Sequence, residues 1–130
     1  SHAGWRGTVK QIGKKTAEKM QQKFGCNPSD ILAGIGPCIK DCCYEVDDPV
    51  VNELKKLDYI PLDKILKPKE NQKYMLDLQT TNQLVLENAG IKPENICVSD
   101  LCTCCNSNYF HSHRATAGNR GNLAAIIALK

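Results

Sequence analysis

Ile31-Leu32-Ala33-Gly34-Ile35-Gly36-Pro37 decides the fold class, because of what stands before it. The preceding segment, 8–24, carries Val9, Ile12, Ala17 and Met20 at helical spacing and stops at Gly25 and Pro28. A continuous apolar run after such a helix reads as a buried strand, with Gly36-Pro37 as its end. The alternation then repeats. Tyr44 to Val46 reads as a second short strand, and Asp47-Asp48-Pro49 as the start of a helix over 50–57, with acids near the cap and proline in the first turn. Segment 58–72, with Pro61, Pro68 and scattered charge, reads as an exposed loop. A helix is predicted over 74–88, carrying Met75, Leu78 and Val85 and stopping at Gly90. Ile96-Cys97-Val98 and the apolar segment 121–129 read as strands, the last one buried. Helices alternating with short apolar strands predict a layered α/β fold.

Composition narrows the function. A chain of 130 residues has room for one domain with its own core. Its 42% hydrophobic and 24% charged residues are ordinary for a soluble protein. No apolar run is long enough to span a bilayer and no signal-peptide pattern stands out, so no membrane partner is expected. The net charge of +3 comes from seventeen dispersed basic residues, and aromatics make up only 5%, which argues against nucleic acid as a partner.

Eight cysteines are the compositional outlier: Cys26, Cys38, Cys42, Cys43, Cys97, Cys102, Cys104 and Cys105. Nothing else suggests secretion, and neighbouring pairs are awkward for simple disulfides. They are expected to be reduced thiols of a cytoplasmic protein, acting mainly as small buried hydrophobes. The competing reading gives the two clusters a structural zinc held by four thiolates, although the clusters do not both have the clean two-residue spacing of a zinc ribbon.

The chemistry concentrates in Ser1-His2-Ala3-Gly4-Trp5-Arg6-Gly7-Thr8. Glycines allow close backbone approach to a ligand, and the helix start that follows attracts anions. His2 offers a metal ligand or proton carrier, and Arg6 an anion clamp or a structural partner for a carboxylate. Trp5 reads first as core packing and second as a base-stacking surface, and Gly4 as a backbone requirement beside the ligand. A second polar cluster runs through Phe110-His111-Ser112-His113-Arg114. There His113 and Arg114 suit phosphate or a polar ligand and Ser112 suits either, unless all three brace the loop. Glu45 reads as a structural hydrogen-bond partner before a proton shuttle or ribose contact.

With Gly36-Pro37-Cys38-Ile39, Cys42-Cys43-Tyr44-Glu45-Val46 and Asp100-Leu101-Cys102-Thr103, these stretches resemble the C-terminal part of the laccase-domain (polyphenol oxidoreductase) family. Its members are regarded as zinc-containing purine nucleoside phosphorylases. The resemblance implies a layered α/β sandwich with mixed sheets, and phosphorolysis of adenosine or inosine to free base and ribose 1-phosphate, with adenosine deamination as a possible second activity. It implies that His2 is one of three zinc ligands, the others lying in segments upstream, and that Arg6 and Arg114 handle the anion. Gly4, Trp5, Ser112 and His113 are the matching substrate-side residues. The chain opens on a motif without methionine, so it is expected to be a fragment that is inactive alone. It is expected to associate with itself or with the upstream half. The alternatives are copper-dependent phenol oxidation, for which His2, His111 and His113 are few ligands, and a non-catalytic binding module organised by zinc.

Overall fold

The computed structural model describes residues 1–128. Two short helices open the chain, α1 (Trp5–Val9) and α2 (Ile12–Phe24). The single helix expected over 8–24 is broken at Gln11, which sits in the left-handed region with φ 55° and ψ 44° and caps α2. Thr8 explains the break. Its hydroxyl is fully buried, with the Gly4 carbonyl at 3.1 Å and Asn82 Oδ1 at 3.0 Å, so α1 is tied to a later helix rather than to α2. Gly25, at φ 67°, ends α2 as expected.

The strand β1 (Ala33–Ile35) pairs in parallel with β5 (Ile96–Val98), in register Ala33 to Ile96. Between them lie β2 (Glu45–Asp47), α3 (Asp48–Leu54), α4 (Leu62–Ile65), β3 (Leu66–Pro68), β4 (Lys73–Leu76) and α5 (Leu78–Asn88). The strands β2, β4 and β3 form an antiparallel sheet with β4 in the centre. The fold is therefore α/β with one parallel and one antiparallel sheet.

Two sequence expectations fail within this body. The helix expected over 74–88 begins only at Leu78, because Tyr74, Met75 and Leu76 are needed as the central strand. Asp77 marks the change, its carboxylate accepting from the Thr80 amide at 3.0 Å as an N-cap. The loop expected over 58–72 contains α4 and β3, and Ile60, Ile65 and Leu66 from it are buried. Leu62, Ile65 and Leu66 are spaced as one helical face, a signal that the two prolines obscure.

Apolar side chains from α3, α4, β3, β4 and α5 form the main core, with Leu54 and Leu76 wholly excluded from solvent. A smaller cluster of Ala17, Ile31 and Ile91 joins α2 to β1. The buried strand expected over 121–129 is not found: 121–128 has no regular structure, and Leu129 lies outside the described residues. Ile126 is 94% exposed. No strand among the described residues pairs with this segment, although Ala125 lies beside Gly36.

Candidate functional site

Trp5 opens α1, directly after the glycine turn. Its ring packs against the main core and carries the Arg6 guanidinium 4.5 Å from the ring centroid. Trp5 is thus half core residue and half platform. Gly7 is required at its place, since a Cβ there would meet the His2 carbonyl oxygen at 2.8 Å. His2 itself is exposed, its ring folded over Gly4 with Nε2 3.2 Å from where a Cβ of that residue would lie.

Arg114 reaches the same place from the other end of the chain. One of its N–H groups donates to the Glu45 carbonyl at 3.0 Å, and its guanidinium lies 5.5 Å from the Tyr44 ring centroid. That bond uses one of five donors. Trp5, Tyr44, Glu45, Asp47, Lys73 and Arg114 line a cleft of about 200 Å³. Arg114 over Tyr44 forms one wall beside Trp5, whose ring also carries Arg6 just outside the lining, and the carboxylates of β2 face the lysine of β4.

The charges follow from these neighbours. Burial pushes the Tyr44 phenol up, against the opposing effect of the Arg114 and Arg6 charges, so it stays a hydrogen-bond donor at neutral pH. The Lys69 ammonium, 2.6 Å from Glu45, holds that carboxyl below the usual carboxylate range, helped by Lys73 and Arg114. A cleft with cationic and anionic groups opposed can take a ligand that carries both an anion and hydroxyls.

The second polar cluster divides. Arg114 faces the cleft, whereas Ser112 is buried in a turn, its Oγ accepting from the Ala115 amide at 3.3 Å and its carbonyl from Thr116 Oγ1 at 2.8 Å. The exposed His113 packs beside Gly118, and its carbonyl accepts from the Gly118 amide at 2.9 Å. His111 lies against Gly121. Sequence reasoning missed Tyr44, Asp47 and Lys73 as cleft residues. Tyr44 was recoverable as an aromatic between a cysteine pair and an acid, but Lys73 carried no signal.

The cysteines do not act mainly as small buried hydrophobes: of the eight, only Cys102 is fully buried. Turns at 41–43 and 103–109 hold them near the surface, where the backbone of each turn is solvated. Cys42, Cys43, Cys102 and Cys105 gather their sulfur atoms within 4.8 Å of one another. The Cys105 sulfur is 3.4 Å from that of Cys43 and 3.6 Å from that of Cys42. Burial pushes the Cys102 thiol up, but backbone N–H groups of Cys105, Lys40 and Cys104 outweigh it, with the Cys42 thiol, and bring it down to about 6. Desolvation and hydrogen bonds to Cys105 and Cys102 push Cys42 up to about 11. The hydrogen bond to Cys105, and then burial, raise Cys43 as well.

Comparison with known proteins shows the family. The family model described as multi-copper polyphenol oxidoreductase laccase matches residues 1–130. The chain is 42% identical over 130 residues to purine nucleoside phosphorylase YlmD of Bacillus subtilis, covering all of this chain and 46% of that protein. It is 38% identical over 121 residues to adenosine deaminase RL5 of an unknown prokaryotic organism, covering 93% of this chain and 46% of the relative. The crystal structure of the Bacillus licheniformis hypothetical protein YfiH superposes with a TM-score of 0.86 at 40% identity, over 91% of this chain and 44% of the other. The chain thus spans a little under half the length of the proteins it matches. Among the described residues, no helix is long and apolar enough to cross a membrane.

Proposed function

Because the chain belongs to the multi-copper polyphenol oxidoreductase laccase family, we propose that it is the C-terminal part of a cytoplasmic enzyme that splits purine nucleosides with phosphate. The observation that carries this reading is Arg114, held over Tyr44 in a cleft that Trp5 also lines, with the Arg6 guanidinium on the Trp5 ring at its edge. Relatives named purine nucleoside phosphorylase and adenosine deaminase support the substrate class.

In this reading Arg6 and Arg114 orient the phosphate through charge-assisted hydrogen bonds. A phosphate oxygen attacks the anomeric carbon as its bond to the purine nitrogen breaks. The bonding pair leaves with the base, which takes a proton and departs, and the sugar becomes ribose 1-phosphate. The transition state is oxocarbenium-like, so positioning of the anion and charge complementarity supply most of the acceleration. Glu45 and Asp47 lie where ribose hydroxyls need acceptors, and the protonated Tyr44 donates. Gly4 keeps the backbone low beside the site, while Ser112 and His113 hold the turn that presents Arg114.

Zinc is the cofactor the family resemblance implies at His2. A catalytic zinc takes three protein ligands. Among the described residues, His2 stands in no group of three or more potential ligands, so the residues present do not complete that centre. No step above depends on it. Among the described residues His2, His111 and His113 form no common cluster, so these residues by themselves build no copper centre for phenol oxidation. The apolar 123–127 segment and the two-stranded parallel sheet suit pairing with the rest of a family-length protein or with a second copy.

Base release from adenosine and inosine by the full-length protein, with and without phosphate, tests the reading. Release is expected to require phosphate. Arg114→Ala should lower kcat/KM for phosphate by about 10- to 100-fold, the worth of one charged hydrogen-bond donor, with Arg114→Lys between. Phosphate-independent release, or an unchanged Arg114→Ala enzyme, would overturn it. Conversion of adenosine to inosine without phosphate would identify the deaminase activity.

A further inference from the structure

We propose that Cys42, Cys43, Cys102 and Cys105 bind one zinc ion as a structural clamp, separate from any metal at His2 and independent of the phosphorylase reading. The four sulfurs come from two turns about 60 residues apart in sequence, with spacings of 62 and 63 residues between the closest partners. Tetrahedral zinc with sulfur at 2.3 Å requires sulfur–sulfur separations of roughly 3.8 Å. The observed 3.4 and 3.6 Å, with all four sulfurs inside 4.8 Å, lie within a few tenths of an ångström to one ångström of that figure.

The backbone around the cluster is already shaped for a metal thiolate centre. The amide of Cys43 donates to the Lys40 carbonyl at 2.9 Å, and the amide of Asn106 to the Cys102 carbonyl at 3.1 Å, so each pair of cysteines sits on a closed turn. The two turns are joined by a bridge between Cys38 and Cys102, in which the Thr103 amide donates to the Cys38 carbonyl at 3.0 Å. Lys40 Nζ adds a bond to the Asp100 carbonyl at 3.1 Å. A purely thiolate tetrahedron favours zinc over harder divalent ions.

A disulfide is the competing use of these residues. Using all four would take two bridges, and the closest sulfurs stand unbonded at 3.4 and 3.6 Å. Zinc uses all four, with the thiol protons released to solvent. The clamp also has a place in the architecture. Tyr44 follows Cys43 directly, and Arg114 lies on the segment that begins at Cys102, so the ion would hold the two walls of the cleft together.

The test is metal binding by the full-length protein, reduced, in wild-type and His2→Ala backgrounds. Cobalt substitution should give the intense visible bands and near-ultraviolet sulfur-to-metal charge transfer of a tetrahedral thiolate site in both. Cys42→Ser, Cys43→Ser and Cys105→Ser should each lose one zinc per chain and that spectrum, whereas Cys104→Ser keeps both. Cys42 and Cys105 are exposed, so these variants report on binding without removing a core side chain. Absence of the thiolate spectrum in the reduced wild type, its loss in His2→Ala alone, or its persistence in a Cys43→Ser/Cys105→Ser double variant would overturn the proposal.

Discussion

Residues 44–91 and residues 99–128 are built on different principles. The first stretch contains the antiparallel sheet, three helices and nearly all of the main core. The second contains no helix or strand among its described residues, and buries only Cys102, Thr103 and Ser112. Its backbone is held by turn hydrogen bonds, by the Arg114 bond to the Glu45 carbonyl and by the gathered thiols. Apolar burial is non-directional and fixes a body, while a few directional contacts place one arginine and four sulfurs. The cleft forms where the two meet, with Tyr44 and Lys73 from the body and Arg114 from the loop.

The contrast is broken most directly by matched truncations. Leu76 is wholly buried between its sheet neighbours and α5, so Leu76→Ala should cost about 3 kcal/mol of stability, within the 2–5 kcal/mol usual for such cavities. Ile126, 94% exposed, should tolerate the same truncation within about 0.5 kcal/mol. Denaturant unfolding of both variants measures the ratio. Similar losses would mean that the 121–128 segment packs in solution, against the rest of a longer protein or a second copy.

A smaller effect sharpens the account of the body. Asp77 ends β4 and caps α5, its carboxylate accepting from the Thr80 amide at 3.0 Å and from Thr80 Oγ1 at 2.7 Å. Asp77→Ala should destabilise by about 1 kcal/mol and Asp77→Asn by much less, because asparagine keeps the acceptor. Thermal melts of the two distinguish capping from a charge effect; equal losses would point to the charge.

This same residue shows what the sequence made legible. Apolar runs and helix stops gave β1, β5, the start of α3 and the end of α2, since those signals are local. The boundary at Asp77 was also local, an acid ahead of Thr80, but the apolar periodicity of Met75 and Leu78 masked it. That Tyr74 to Leu76 form a strand depends on two partners elsewhere in the chain, so it was not legible from the segment alone. The site divides the same way. Trp5, Arg6 and Arg114 stand out by residue type, whereas the stacking of Arg114 on Tyr44 is a contact across 70 positions. The cysteine cluster was visible as two groups, and Cys102 and Cys105 have the two-residue spacing of half a zinc motif, but the adjacent Cys42-Cys43 do not, so their convergence was not legible.

The smallest effect lies on the bond that ties the sulfur-bearing turn to the body. Lys67 of β3 donates to Asp41, the residue before Cys42, at 2.6 Å. That hydrogen bond holds the Asp41 carboxyl below its ordinary range. A depressed carboxyl contributes stability that is complete above its unfolded value of about 3.9 and is lost as pH falls through the lower folded value. Lys67→Met should therefore lower stability slightly near neutral pH, and the difference from wild type should vanish at a pH below both values. The Lys67 side chain is largely solvated, which keeps the effect small and sensitive to salt. Urea titrations of the two proteins across the acid range test this. A difference that persists at the acid end would show that the Lys67 stem contributes by packing, and the turn would then be fastened to the sheet by apolar contact rather than by charge.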